Sequence, residues 1–173
     1  LPMTDAPIAE TGSPHRRLKL DTLVRLRWMA VAGQTVALLV VQFVFGFPFA
    51  FGACIALVAA SAWLNILLKL RSPRTQRLSE RMATLQLAYD LAQMGGLLLL
   101  TGGLGNPFAF LLLAPVMVSA TGLSAHKTLY LGTLAGAIAT LLAYVHMPLP
   151  WPEGDVFALP GLYTMGVWTA LIC

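Results

Sequence analysis

The sequence predicts an all-α membrane protein, a six-helix transmembrane bundle with its N-terminus in the cytoplasm. Three observations carry that expectation. Of 173 residues, 58% are hydrophobic and only 10% charged, with a mean hydropathy of +0.77; ordinary soluble domains are about one-quarter charged. The apolar residues come in runs long enough to cross a bilayer. The eleven Lys and Arg residues fall in three places. These are the N-terminal segment (Arg16, Arg17, Lys19, Arg25, Arg27), residues 69–81 (Lys69, Arg71, Arg74, Arg77, Arg81), and Lys127. If spans alternate direction, all three lie on one face, and the opposite face receives only Glu153 and Asp155. That is the positive-inside pattern, and it sets orientation as well as class.

The net charge of +4 and pI of 9.4 therefore imply contact with lipid headgroups, not nucleic acid, since the cations flank apolar runs. No secretory signal precedes them. Leu1 and Pro2 stand ahead of Met3, which reads as the native start. Residues 1–20 are expected to form a mobile cytoplasmic tail, and residues 21–173 the bundle.

The elements follow in order. Residues 21–27 (DTLVRLR) set Leu23, Val24 and Leu26 among cations and read as an interfacial lead-in. The first span, about 28–45, opens on Trp28, a residue suited to the interface. Gly46-Phe47-Pro48 is an uncharged turn into the second span, about 49–68. A basic cytoplasmic loop leads to the third span, about 82–100. The turn Thr101–Asn106 follows, and Pro107 opens the fourth span, about 107–123. Residues 124–127 form a cytoplasmic turn before the fifth span, about 128–146. A Pro- and Trp-containing outer loop leads to the sixth, 160–173. Five spans have about 17–21 residues each, enough to cover most of a ~30 Å hydrocarbon core. The sixth is expected to be cut short, with further chain continuing into the cytoplasm.

Asp90 falls deep in the third span. An ionised carboxylate there costs roughly 2.5–3.5 kcal/mol on insertion scales, so it should face other helices. Gln86, Asp90 and Gln93, at i, i+4 and i+7, share one stripe with Tyr89 beside it. One reading is interhelical hydrogen bonding, with Gln34 of the first span as a partner at similar depth. The other is a proton-coupled or ligand-related role.

The turn Gly102-Gly103-Leu104-Gly105-Asn106-Pro107-Phe108 also has two readings. Structurally, the glycines make the turn, Asn106 caps the fourth span, and Pro107 takes the first helical position. Functionally, Gly102 and Gly103 let a flat ligand approach the backbone. Asn106 has an amide to donate, free N–H groups lie at a helix start, and Phe108 can stack on a ring. A quinone, flat and bearing two carbonyls, suits such a site at the membrane's outer edge.

The string GGLGNPF resembles the GGxxNPF heptapeptide of the RegB/PrrB family of redox-responsive sensor histidine kinases. The surrounding text agrees: LVRLRWMAVAGQ at residues 23–34 and LTGGLGNPFAFLLLAPVMVSA at residues 100–120. The resemblance covers nearly all of residues 21–173. It implies a six-span sensor domain in the bacterial inner membrane, with ubiquinone held at Gly102, Gly103, Asn106, Pro107 and Phe108. It further implies a homodimer, a cytoplasmic kinase module in cis using ATP, and a response regulator as partner. The kinase motifs are absent from these residues, so this stretch is expected to sense and not to phosphorylate.

Other candidates carry less. His15 reads as solvated, His126 as a turn residue, and His146 as an interfacial residue able to approach the glycine-rich turn. Cys54 reads as a small buried hydrophobe, Cys173 has no evident partner, and no cluster suggests a metal. Gly132 and Gly136 permit close helix packing, within the chain or across a dimer. Trp28, Trp63 and Trp151 read as belt or packing residues. Two rival functions remain. An intramembrane enzyme subunit would need paired carboxylates or haem histidines, and a transporter fragment would need internal repeats and broken helices at mid-depth.

Overall fold

A computed structural model describes residues 20–71, 79–148 and 161–173. The tail with His15, Arg16, Arg17 and Lys19 lies outside the described residues. So do Arg74 and Arg77 of the basic loop, and Trp151, Glu153 and Asp155 of the outer loop.

The described residues are mostly helical, with no strand among them. Six helices follow the predicted order: α1 (Leu20–Phe43), α2 (Phe51–Arg71), α3 (Glu80–Leu100), α4 (Leu113–Ala120), α5 (Ala125–Tyr144) and α6 (Gly161–Ile172). By length and hydropathy together, α1 and α2 qualify as membrane spans, while the α4 region and α6 are shorter apolar helices. The lead-in at residues 21–27 is not a separate element; it is the first part of α1.

The fourth span departs from the expected continuous helix. A 3₁₀ segment, Pro107–Leu112, precedes the eight α-helical residues of α4. Pro115 supplies a physical reason, since it has no N–H to return to the Leu111 carbonyl. The change lengthens the element. At about 2.0 Å per 3₁₀ residue and 1.5 Å per α residue, residues 107–120 reach roughly 24 Å.

The main core is built by α3, α5, α6 and the 3₁₀ segment ahead of α4, with Leu23 of α1 at its edge; Leu91, Leu98, Leu104, Leu112, Leu131 and Leu142 are fully buried. A second cluster joins α1, α2 and α3 through Val31, Leu38, Cys54, Val58 and Leu97. Thus α3 belongs to both. In lipid, apolar burial drives little association and close packing matters more. Neighbouring glycines on α3 allow it: a Cβ on Gly95 would lie 2.7 Å from Ile138 Cγ2 of α5, and one on Gly96 would lie 3.2 Å from Leu57 Cδ1 of α2. Gly136 of α5 similarly faces α6, where a Cβ would meet Ile172 Cδ1 at 3.0 Å. Gly136 therefore serves packing within the chain.

The N-terminal ends of α3 and α5 are tied together. Ser79 caps α3 by accepting from the Met82 N–H at 3.3 Å. Ser124, the N-cap of α5, donates to Glu80 Oε2 at 3.1 Å.

Candidate functional site

Two sites lie on α3, one in its N-terminal half and one at its C-terminal end, the inner and outer sites in the orientation expected from the charge pattern.

The inner site is polar and joins α1, α2 and α3. Arg27 is only 6% exposed. Its Nη2 lies 2.9 Å from Asp90 Oδ1 and donates to the Gln86 carbonyl oxygen at 3.3 Å. The approach to Asp90 is an ion pair without the alignment of a hydrogen bond. The guanidinium also sits over the Tyr89 ring, 5.7 Å from its centroid, within cation–π range. Two helical turns further out, Gln93 Nε2 donates to Gln34 Oε1 at 2.9 Å. Arg27 faces Gln86 and Gln34 faces Gln93, both 59 residues apart, so α1 and α3 run parallel in one register. On α2, Asn65 Nδ2 donates to the Val24 carbonyl at 3.1 Å.

The stripe Gln86–Asp90–Gln93 thus faces inward as its spacing predicts, and Gln34 is a partner as expected, while the partner of Asp90 is a residue the sequence did not indicate. Gln34 bonds Gln93, and Asp90 meets Arg27. Sequence reasoning placed Arg27 among the cations of the cytoplasmic face. It is a buried counter-ion instead, seven residues past the start of α1. Its flexible stem lets the charge reach across from α1 to the carboxylate on α3. Asn65 and Ser61, each 1% exposed, were also missed. The missed signal was their i, i+4 spacing on an otherwise apolar helix. Several polar atoms in this seam are buried without a protein partner: Nε and Nη1 of Arg27, Nε2 of Gln86, Oδ1 of Asn65 and Oγ of Ser61.

The outer site is the glycine-rich turn. Thr101 ends α3, with its hydroxyl donating to the Leu97 carbonyl at 2.7 Å. Gly102 (φ 101°) and Gly103 (φ 59°) take left-handed backbone conformations, which side chains other than glycine disfavour. A 3₁₀ turn, Gly103–Gly105, leads to Asn106. Asn106 caps the next segment by accepting from the Phe108 N–H at 2.9 Å. Its Nδ2 donates to the Thr101 carbonyl at 3.0 Å and to Thr101 Oγ1 at 2.8 Å. The amide nitrogen is therefore engaged inside the loop. In this geometry Asn106 holds the loop's shape. Pro107 and Phe108 are exposed beside it, Phe108 at 48%.

His146 reaches this loop. Its ring packs on Gly103 so closely that a Cβ there would lie 2.6 Å from His146 Cγ and 2.9 Å from Nδ1. The next residue fixes the chain, with Met147 N–H donating to the Leu99 carbonyl at 2.8 Å. The other candidates stay apart. His126 lies by Ser124 at the inner turn, Cys54 is buried and Cys173 exposed. Trp28 and Trp63 are exposed, at 40% and 63%. No group of three metal-ligating side chains occurs among the described residues.

Comparison with known proteins agrees with this organisation. A family model described as the PilS-like transmembrane domain (6TM_PilS) matches residues 24–160. Two curated proteins of Cereibacter sphaeroides, each named sensor histidine kinase RegB, are 41% identical to the chain. The matches run over 154 and 155 residues, 89% and 90% of this chain but 33% and 34% of the relatives. The chain thus spans about one-third of their length. No solved structure matches it. With its helices in the expected order and its glycine-rich turn between the third and fourth, the chain belongs to the PilS-like transmembrane domain family, as a sensor domain of the RegB/PrrB type.

Proposed function

We propose that this domain senses redox state in a bacterial inner membrane. It spans the membrane six times with its N-terminus inside, and binds ubiquinone at the outer turn between α3 and α4. Occupancy then regulates a cytoplasmic histidine kinase that uses ATP and passes phosphate to a response regulator. The intact protein works as a homodimer. The curated relatives are named as sensor histidine kinases, which supports the kinase part of this reading.

The observation that carries the ligand reading is the loop's construction. Thr101, Asn106 and the two left-handed glycines lock the backbone, and the locked loop leaves Pro107 and the Phe108 ring exposed. An exposed aromatic ring on a rigid, uncharged turn suits a flat, neutral ring arriving from lipid. Gly102, Gly103 and Asn106 shape this surface. A ligand bound there would bias α3, and the Arg27–Asp90 and Gln34–Gln93 contacts would take up the change. Such a shift requires that the ligand bind two arrangements unequally.

The test is a titration of the domain in lipid nanodiscs with a short-chain ubiquinone. Phe108→Ala should weaken binding roughly three- to tenfold, the range of one aromatic stacking contact. Equal affinity for the two proteins would remove Phe108 from the site. No saturable binding by the wild type would end the quinone reading.

A further inference from the structure

Two features of the outer site stand apart from its glycines. The side-chain donors of the loop are engaged, since the Thr101 hydroxyl donates to Leu97 and the Asn106 amide nitrogen donates to Thr101. The His146 ring is the exception in kind. Its Nδ1 lies 2.9 Å from the Leu142 carbonyl oxygen. A carbonyl oxygen only accepts, so Nδ1 carries the hydrogen in that bond. In a neutral imidazole this leaves Nε2 as an acceptor. No described residue hydrogen-bonds Nε2, and the residue is exposed. The ring is held on two sides, by the Leu142 carbonyl and by the face of Gly103.

We propose that His146 is a ligand-contacting residue of this site and that its Nε2 accepts a hydrogen bond from a ring hydroxyl, the group present on a hydroquinone and absent from a quinone. The inference rests on the quinone reading above and adds a residue that responds to one redox form. A carbonyl gives a neutral Nε2 nothing to accept, whereas a hydroxyl does. Binding of the reduced form then includes a contact that the oxidised form lacks. The simpler role of His146 is to cap α5 at Leu142. Capping alone would affect both ligand forms alike.

The test compares the oxidised and reduced forms of one short-chain ubiquinone, under anaerobic conditions, on the whole chain in nanodiscs. His146→Phe keeps a ring against Gly103 and removes both nitrogens. It should lower hydroquinone affinity on the order of tenfold, as for one lost hydrogen bond, and leave quinone affinity within about twofold. His146→Gln, which retains an acceptor, should recover most of the loss. Equal changes for the two forms, or none, would overturn the proposal. A second measurement needs only the wild type: the His146 Nε2 resonance in ¹⁵N-labelled protein should move with hydroquinone and stay with quinone. An unmoved resonance in the presence of bound hydroquinone would also overturn it. Failure of the wild type to bind either form instead removes the quinone reading itself.

Discussion

Removing Asp90 alone should destabilise the bundle more than removing Asp90 and Arg27 together. The side chain of Arg27 is 5% exposed and that of Asp90 25%. Asp90→Leu strands a buried guanidinium that has lost its counter-ion, and breaking a buried pair this way costs about 3–5 kcal/mol. The lower end applies here, because the 2.9 Å contact lacks hydrogen-bond alignment and Tyr89 and the Gln86 carbonyl still hold the cation. Arg27→Met leaves a carboxylate that is partly exposed and able to protonate, so about 1.5 kcal/mol is expected. The double variant loses both charges together with their desolvation cost, and should lie within about 1.5 kcal/mol of wild type. With about 3 kcal/mol for Asp90→Leu, the coupling is then roughly 3 + 1.5 − 1.5, or about 3 kcal/mol. Reversible unfolding in mixed detergent–SDS micelles measures all four proteins. An interhelical hydrogen bond in a membrane averages about 0.6 kcal/mol, so a coupling below that value would refute the assignment of Arg27 as the counter-ion.

Three further outcomes follow from the same geometry. Asn106→Ala removes a cap and both bonds to Thr101. It should cost about 1–2 kcal/mol, and hydrogen exchange at the Phe108 amide should quicken. Gly103→Ala forces a side chain into φ 59° and against the His146 ring; a melting curve should show a loss of about 1–3 kcal/mol, and retention of wild-type stability would contradict the contact. Gly95→Ala places a methyl against Ile138 and should cost about 1–3 kcal/mol, with Ile138→Ala restoring much of it in the double variant.

Element order, the inward stripe on α3 and the capping chemistry of Asn106 and Pro107 were legible because each depends on local spacing. A carboxylate, two glutamines and a tyrosine within eight residues of one helix declare a face. Partners were not legible, because they depend on how helices are rotated against each other. Arg27 illustrates this. Its position in a basic cluster carries topological information and says nothing of the direction of its side chain, and Arg25, two residues earlier, looks the same in sequence. His146 gave a hint through its place at the outer end of the fifth span. Only the fold shows that Gly103 lacks a side chain where that ring sits. The 3₁₀ opening of the fourth span was hidden for another reason. Pro107 by itself marks only a helix start; Pro115, eight residues on, removes the α-helical bond to the Leu111 carbonyl.

The two seams of α3 differ in kind, and that difference fixes which of them can respond to the outer loop. Against α5, α3 is interlocked: Ile138 fills the space over Gly95, and Leu87, Leu91 and Leu98 are almost wholly buried. Sliding such a seam forces branched side chains off their rotamers. The bond from Met147 to Leu99 and the contact of His146 with Gly103 fasten the outer end of α5 to the same loop, and Ser124 fastens the inner end to Glu80. So α3, the loop and α5 form one mechanical unit. Against α1, α3 adds long polar side chains to apolar contacts at Leu23, Val31 and Leu38, and there Arg27 already touches two groups one turn apart, Gln86 and Asp90. Unpartnered donors remain in the same seam. A long side chain can exchange one acceptor for another through rotamer changes, at far lower cost than unpacking a core. On the function proposed above, a disturbance at the loop would be taken up between α1 and α3, where the polar stripe can exchange partners at lower cost than the packed core.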